Sequence, residues 1–442
     1  MVKNFAPQLS STLKYLLRWT AIITPIAICI GSVIAFFLWL LGWAIHYRFT
    51  HTWLLYLLPL AGIVIHFLYK LYGQSAEQGN NLIIDEIHKP GGGVPKRMAP
   101  LILITTVITH LFGGSAGREG TAVQIGGSIA HWLGSRFKLQ PSDLRIVLTA
   151  GVAAGFGAVF GTPLAGTIFA VEVIAIGRIQ YTALLPCLIA ALIGDATVAA
   201  WGVQHTAYHI SYFTTGQTMF GHHIAINFWL LFKTMVASVF FGLAAYAFAN
   251  AVHGVKNLAN RFVKMPWLIP VYGGVVIIVL TFILGKPDYL SLGVESQYPG
   301  AVTIVSAFEQ GGVHFFSWFW KLVYTAITLG AGFKGGEVTP LFYIGATLGN
   351  TLGDLMNAPV SLFAALGFIA VFAGATNTPL ACTVMGIELF GGEHALLFAI
   401  ACFTAYIFSG DTGIYSAQQL GVAKITITDQ PDYLSKWWAK YK

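Results

Sequence analysis

"GGSAGREGTAVQIGGSIAHWLG", residues 113–134, and "GAGFKGGEVTPLFYIGATLGNTLG", residues 330–353, are two versions of one pattern. Each has a glycine-rich loop, then a glutamate (Glu119, Glu337), then a segment with glycine at helix-packing spacing. A second pair follows in the same order. "FGAVFGTPLAGTIFAVEV" (156–173) and "FAGATNTPLACTVMGIEL" (372–389) share Thr-Pro-Leu-Ala. In each, a glutamate stands nine residues after the proline, at Glu172 and Glu388. Glu119 precedes Pro163 by 44 residues and Glu337 precedes Pro379 by 42. Membrane helices favour Gly and Ala at contacts, which accounts for the glycines but not for the matched Thr-Pro-Leu-Ala and glutamates. The chain therefore reads as an internal duplication. A first half over 20–215 and a second over 216–420 lie between terminal segments 1–19 and 421–442.

The halves are too apolar for water. Hydrophobic residues make up 56% of the 442 and charged residues 9%, against about 25% in a soluble domain. No soluble core hides that much apolar surface, so the chain is a polytopic membrane protein in contact with the lipid bilayer. The N-terminus lacks the short apolar core and cleavage site of a signal peptide. Apolar runs begin near Thr20, Thr52, Tyr181, Ile226, Pro266, Phe316 and His394. Those near Pro100, Ala122 and Val360 are too short for one straight span of about 20 residues.

The net charge of +7 is scattered rather than striped, which argues against nucleic acid and for positive-inside topology. Lys3, Lys14 and Arg18, then Lys256, Arg261 and Lys264, then Lys436, Lys440 and Lys442 mark the inner side. The loop Val203–Ile224 has no Lys or Arg and reads as external, with both termini cytoplasmic. Cys29, Cys187, Cys382 and Cys402 all lie in apolar segments, at spacings that fit neither a metal site nor a disulfide framework. His205, His209, His222 and His223 read as loop histidines, not metal ligands, and no cofactor is expected.

Short, Gly/Pro-interrupted segments at matching places in two halves point to a transport site near the midplane. Interrupted backbone is tolerated at membrane depth only where it lines a cavity. A helix that starts after a glycine-rich turn aims free N–H groups and the positive end of its dipole at that cavity. The expected ligand is a small anion.

Four stretches carry a family resemblance. "GREGTAVQIGG" (117–127) resembles the G-[KR]-E-G-P loop of CLC chloride channels and chloride/proton exchangers. "FGTPLAGTIFAVE" (160–172) resembles the helix that follows it, and "GFKGGEVTP" (332–340) the matching loop of the second half. "IYSAQ" (414–418) is similar to the segment that presents a tyrosine hydroxyl to the anion, here Tyr415. The resemblance implies an all-α fold of two inverted (antiparallel) helical repeats with broken helices meeting at the midplane. It also implies a homodimer with one pathway per subunit. The sequence stops soon after the last helix, so the nucleotide-binding tail modules of some relatives are not expected.

The departures are informative. Where chloride-selective relatives have G-S-G-I-P, this chain has "GNNLI" (79–83), so Asn80 stands in for a serine. Thr121 replaces the proline after the glutamate, Glu337 is an extra carboxylate, and Val173 stands where many exchangers have an inner proton-handling glutamate. This combination resembles the branch of fluoride/proton antiporters.

Each position then has an expected role. Glu119, a carboxylate among helix N-termini, mimics the anion: ionised it plugs the site, protonated it leaves with a proton. Asn80 offers two N–H donors where serine offers one O–H, which suits strongly hydrated fluoride. Backbone amides near Gly117 and Gly120, and the Val338 region, hold the ion, while Arg118 fixes the loop or adds field. Glu337 relays protons or donates to fluoride, and Thr339 and Tyr415 line the path with hydroxyls. Glu172 and Glu388 read as helix anchors. The expected activity is export of cytoplasmic fluoride in exchange for protons across a bacterial inner membrane, with no enzyme chemistry. The alternatives are a chloride/proton exchanger or chloride channel of the same family and, more remotely, an intramembrane serine hydrolase using Ser115 of "GGSAG".

Overall fold

Five consecutive helices of the first half have counterparts in the second. The pairs are α4 (Met98–Leu111) with α11 (Ser317–Gly330), and α5 (Glu119–Arg136) with α12 (Val338–Leu355). They continue as α6 (Pro141–Phe160) with α13 (Val360–Thr376), α7 (Pro163–Glu172) with α14 (Pro379–Phe390), and α8 (Leu184–Ala200) with α15 (Ala395–Phe408). Both helices of the first pair have 14 residues and both of the second have 18. The remaining helices are α1 (Phe5–Thr50), α2 (Leu58–Leu68), α3 (Asn80–His88), α9 (Phe228–Phe262) and α10 (Ile269–Leu284). This computed structural model describes residues 5–213, 217–219, 222–224, 227–295 and 297–424. Lys3, Lys436, Lys440, Lys442 and most of the tail 421–442 lie outside the described residues, as do parts of the loop 203–224. α1 already runs from Phe5, through the segment 1–19 expected ahead of the membrane.

Among the described residues six stretches are long and apolar enough to cross a membrane: Leu9–Thr50, Thr52–His88, Pro141–Phe160, Tyr181–Ala200, Phe228–Phe262 and Pro266–Leu284. The short runs near Pro100, Ala122 and Val360 became α4, α5 and α13. Every residue of α13 is buried, so its apolarity serves protein packing rather than lipid contact. Glycine permits that packing. A methyl group added at Gly345 of α12 would lie 2.1 Å from the Gly367 carbonyl oxygen of α13. One added at Gly126 of α5 would lie 2.1 Å from the Gly151 oxygen of α6, the same arrangement in the other half. Cys187, Cys382 and Cys402 are buried in α8, α14 and α15.

The Thr-Pro-Leu-Ala motif is a helix junction. α6 ends on Gly161 and α13 on Asn377, at φ 71° and 58°. Glycine and asparagine are the residues that take this left-handed conformation most readily. The next residue, Thr162 or Thr378, is at φ −127°, outside the helical region, and proline then starts α7 and α14 at their first turn, where a missing N–H costs nothing.

Glu172 and Glu388 close these junctions crosswise. Glu388, at the end of α14, accepts from the Leu164 and Ala165 N–H groups at the start of α7, at 2.9 and 2.7 Å. Glu172, at the end of α7, accepts from Leu380 and Ala381 at the start of α14, at 3.1 and 2.8 Å. The expected anchoring role holds, and each glutamate caps the other half's helix. Among the described residues the strands are only two or three residues long. One parallel pair, Ala175–Ile176 with Gln419–Leu420, ties the end of the second half to the first.

Candidate anion site at facing helix N-termini

The two glycine-rich loops meet backbone to backbone. The Gly117 N–H donates to the Gly336 oxygen at 2.6 Å, and the Gly336 N–H donates to the Gly117 oxygen at 2.7 Å. Side chains are excluded here: a methyl group at Gly336 would lie 2.7 Å from the Gly120 nitrogen. α5 starts two residues after Gly117, at Glu119, and α12 two residues after Gly336, at Val338. Both helix N-termini therefore point at one small region, and their dipoles make it favourable for negative charge.

This bridge corrects the repeat register. Counting from the paired glycines, Arg118 is matched by Glu337 and Glu119 by Val338. Arg118 and Glu337 are the helix caps, with similar backbone angles. Glu119 and Glu337 share a loop type but not a position, because the second half places its carboxylate one residue earlier.

Glu119 occupies the convergence point and is 1% exposed. Its carboxylate accepts from the Thr339 hydroxyl at 2.5 Å, the Thr339 N–H at 3.0 Å and the Arg118 N–H at 3.1 Å. Two donors thus come from the second half and one from its own loop. The Arg118 Nε lies 3.6 Å from the carboxylate, an ion pair without a hydrogen bond. Three donors and a cation offset the cost of burying this charge.

A third helix N-terminus joins from α3. Gly79, at φ 59° and ψ −127°, holds a conformation that glycine alone adopts easily, and it turns the chain so that α3 begins at Asn80. The Asn80 Nδ2 lies 3.1 Å from where a β-carbon on Gly120 would stand. The Asn80 Oδ1 is buried with no hydrogen-bond partner. Beside it sits Gln124, whose Oε1 is likewise buried without a partner. Gln124 was not singled out in the sequence. Its place four residues beyond Gly120, one turn along the same face of α5, is the signal that could have marked it.

Asn80 and Tyr415 line one narrow cavity with apolar walls that include Ile84, Val123, Val173 and Ile174. Val173 therefore makes an apolar wall. The Tyr415 segment is well fixed. The Ala417 N–H donates to Asn81 at 3.0 Å, and the Gln418 side chain donates to the Val173 and Thr376 carbonyls at 2.8 and 2.7 Å. Glu119 and Glu337 are both within electrostatic range of Tyr415. Glu337 is half-buried, and its carboxylate makes no hydrogen bond among the described residues. Val338 is buried, and Thr121 shares a hydrogen bond with Thr106 at 2.7 Å where a proline would have had no hydroxyl.

The loop expected to be external also reaches this region. Tyr208 stacks near Phe308, centroids 5.6 Å apart, within electrostatic range of Arg118 and Glu119. His205 is half-buried and lies 3.9 Å from Asp195. The serine of "GGSAG" is committed elsewhere: the Ser115 hydroxyl is 2.9 Å from that of Thr325, and its N–H donates to Thr328. No histidine hydrogen-bonds the Ser115 hydroxyl among the described residues, so the hydrolase geometry is not met.

Residues 60–410 match the family of voltage-gated chloride channels. The chain belongs to that family, the CLC family of ion channels and transporters. It is 46% identical to the "Chloride/fluoride channel protein" of Pseudomonas syringae pv. tomato, over 96% of this chain and 91% of the relative. A solved CLC-type fluoride/proton antiporter is 34% identical, with a TM-score of 0.83 over 92% of this chain and 98% of that one. A slow cyanobacterial Cl⁻/H⁺ antiporter, 19% identical, shares the fold at a TM-score of 0.73 over 90% and 96% of the two chains. The CLC fold is accordingly all-α and polytopic, two inverted helical repeats whose broken helices face each other.

Proposed function

We propose that this CLC protein is a fluoride/proton antiporter that exports cytoplasmic fluoride as protons move inward. The observation that carries the reading is the seat of Glu119. A carboxylate held by the Thr339 O–H and N–H and the Arg118 N–H sits where an anion would sit, on donors an anion would use. Carboxylate and fluoride then compete for one set of donors. When protonated, the carboxyl loses most of its hold on that set and leaves with a proton. One pH unit of gradient supplies about 1.4 kcal/mol per proton for the exchange.

In this reading Glu119 is gate and proton carrier. Fluoride is held by the amides around Gly117 and Gly120, by the start of α12 at Val338 and Thr339, and by Asn80. Fluoride is small and tightly hydrated, so a dense set of N–H and O–H donors is what replaces its water. Arg118 adds positive field. Glu337, near Tyr415 and with a carboxylate free of hydrogen bonds among the described residues, relays protons or donates to fluoride in place of the family's inner glutamate. The Tyr415 hydroxyl lines the inner path. The working unit is a homodimer in a bacterial inner membrane, with one pathway per subunit and both termini cytoplasmic. The repeats span 20–215 and 216–420.

The Pseudomonas relative carries the name of a channel for chloride and fluoride, which keeps a second reading in view: a chloride/proton exchanger or a channel. Purified protein in liposomes distinguishes them, with fluoride and chloride efflux followed by electrodes and internal pH followed by a dye. The antiporter moves fluoride faster than chloride and drives protons uphill. Equal or faster chloride flux defeats the fluoride reading, and fluoride flux without uphill protons reduces the protein to a channel.

A further inference from the structure

Beyond Arg118, on the side of the membrane where α1 ends, lies a small cavity of about 50 Å³. Its lining includes Arg48, Arg118, Thr206, Asp288, Ser291 and Glu295. Arg48 comes from the last turn of α1 and is 3% exposed. A guanidinium buried at membrane depth demands a partner. Among the described residues Arg48 has only a neutral one. The Gln297 amide oxygen, in the orientation that satisfies both groups, accepts from Nη1 at 3.0 Å and from Nη2. The Arg48 guanidinium also lies over the Phe49 ring, 5.1 Å from its centroid. Its Nε is buried with no hydrogen-bond partner, and so is the Nε of Arg118.

The acids nearby are already engaged. Asp288 accepts from the Tyr298 hydroxyl at 2.5 Å and the Val302 N–H at 3.3 Å. Glu295 is exposed and faces His46 at 3.5 Å. Neither lies within 4 Å of Arg48 among the described residues. A further cation stands behind the cavity wall. Lys321 is fully buried, donates to the Tyr289 and Ser291 carbonyls at 3.2 and 2.7 Å, and lies 5.2 Å from the Tyr343 ring centroid. It fixes the wall and adds positive field without a carboxylate partner. Arg48 thus lines this cleft together with Arg118, and its buried Nε–H has no hydrogen-bond partner and no carboxylate within 4 Å among the described residues.

We infer that this cavity is a second anion station, in which one small monovalent anion is held by Arg48 and Arg118 on the α1 C-terminal side of Glu119. Such a station receives the anion that Glu119 displaces and raises the anion concentration at that mouth. Arg48 is its distinguishing residue, because Arg118 also serves the Glu119 loop. The flux test below rests on the anion-transport reading; the crystallographic test does not.

Crystals of the full chain grown with sodium bromide, measured at the bromine absorption edge, should show an anomalous peak within hydrogen-bonding distance of both guanidinium groups. Arg48→Gln should abolish the peak. In liposomes Arg48→Gln should raise the half-saturating fluoride concentration about tenfold. Arg48→Lys, which keeps the charge, should return it to within about threefold of the parent. Unchanged elution volume and melting temperature of both variants in detergent exclude a folding defect. No peak in the parent protein, a peak that persists in Arg48→Gln, or an unchanged half-saturating concentration would overturn the inference. A peak in a protein that moves no fluoride would leave the station standing and defeat the transport reading alone.

Discussion

Thr339→Val tests whether Glu119 and fluoride compete for the same donors. Valine keeps the branched shape and the helix start while removing the hydroxyl that donates to Glu119 at 2.5 Å. A hydrogen bond to a charged group is worth about 1.5–3 kcal/mol, about 10- to 100-fold in an equilibrium constant. In the parent protein the carboxylate and the anion both use that hydroxyl. Losing it weakens plug and ligand alike, so the two effects nearly cancel and apparent fluoride affinity should change by less than about threefold. In a Glu119→Ala background no carboxylate competes, and the whole loss falls on fluoride. There, Thr339→Val should weaken binding by about 10- to 100-fold. Calorimetric titration of detergent-purified protein with sodium fluoride, across all four members of the cycle, measures the coupling directly. An equal loss in both backgrounds would refute the reasoning, because Glu119 and fluoride would then not share the Thr339 donor.

Other outcomes follow from single contacts. Glu172→Ala strands the Leu380 and Ala381 N–H groups in α14 and should cost about 2–4 kcal/mol, read as a lower melting temperature in detergent. Gly345→Ala puts a methyl group 2.1 Å from the Gly367 oxygen and should yield no monodisperse protein, whereas Gly42→Ala, with nothing within 4 Å, should express normally. Asn80→Leu keeps the volume but deletes the amide donors, and should lower the fluoride-over-chloride flux ratio about tenfold. Ser115→Ala should leave fluoride flux within about twofold, since that hydroxyl bonds only Thr325, while Glu119→Gln should abolish uphill proton movement.

The helix junctions and glycine loops were legible because their chemistry is local. Pro163 and Pro379 mark first turns, and the left-handed residue two positions earlier could only be Gly or a residue such as Asn377. The glycines that let α5 cross α6 and α12 cross α13 are equally visible as small residues at helical spacing. What crossed between the halves was not legible. The spacing of Glu172 and Glu388 suggested anchors, but nothing in either segment says that each caps the other half's helix. The one-residue shift that sets Val338 opposite Glu119 depends on the bridge of Gly117 to Gly336, a contact 219 residues apart in sequence. Gln124 and Arg48 escaped notice for a related reason. A glutamine inside a helix and an arginine at a helix end look ordinary until burial removes their partners.

The doubled Gly117–Gly336 bond has a mechanical consequence. It pins the two helix N-termini that face the ion to each other, one from each repeat. Parting them would break both bonds between buried glycines and pull apart backbones already in van der Waals contact. A carrier that rocks one repeat against the other has to separate surfaces at its binding site. In the proposed antiporter the joint lies at the binding site itself, so the backbone acts as a rivet and the moving part shrinks to a single side chain. On that proposal Glu119 swings about its own bonds while the donors around it stay where they are. The rhythm of such a machine is set by how fast a carboxyl group gains a proton and turns, not by how fast a bundle of helices reorganises.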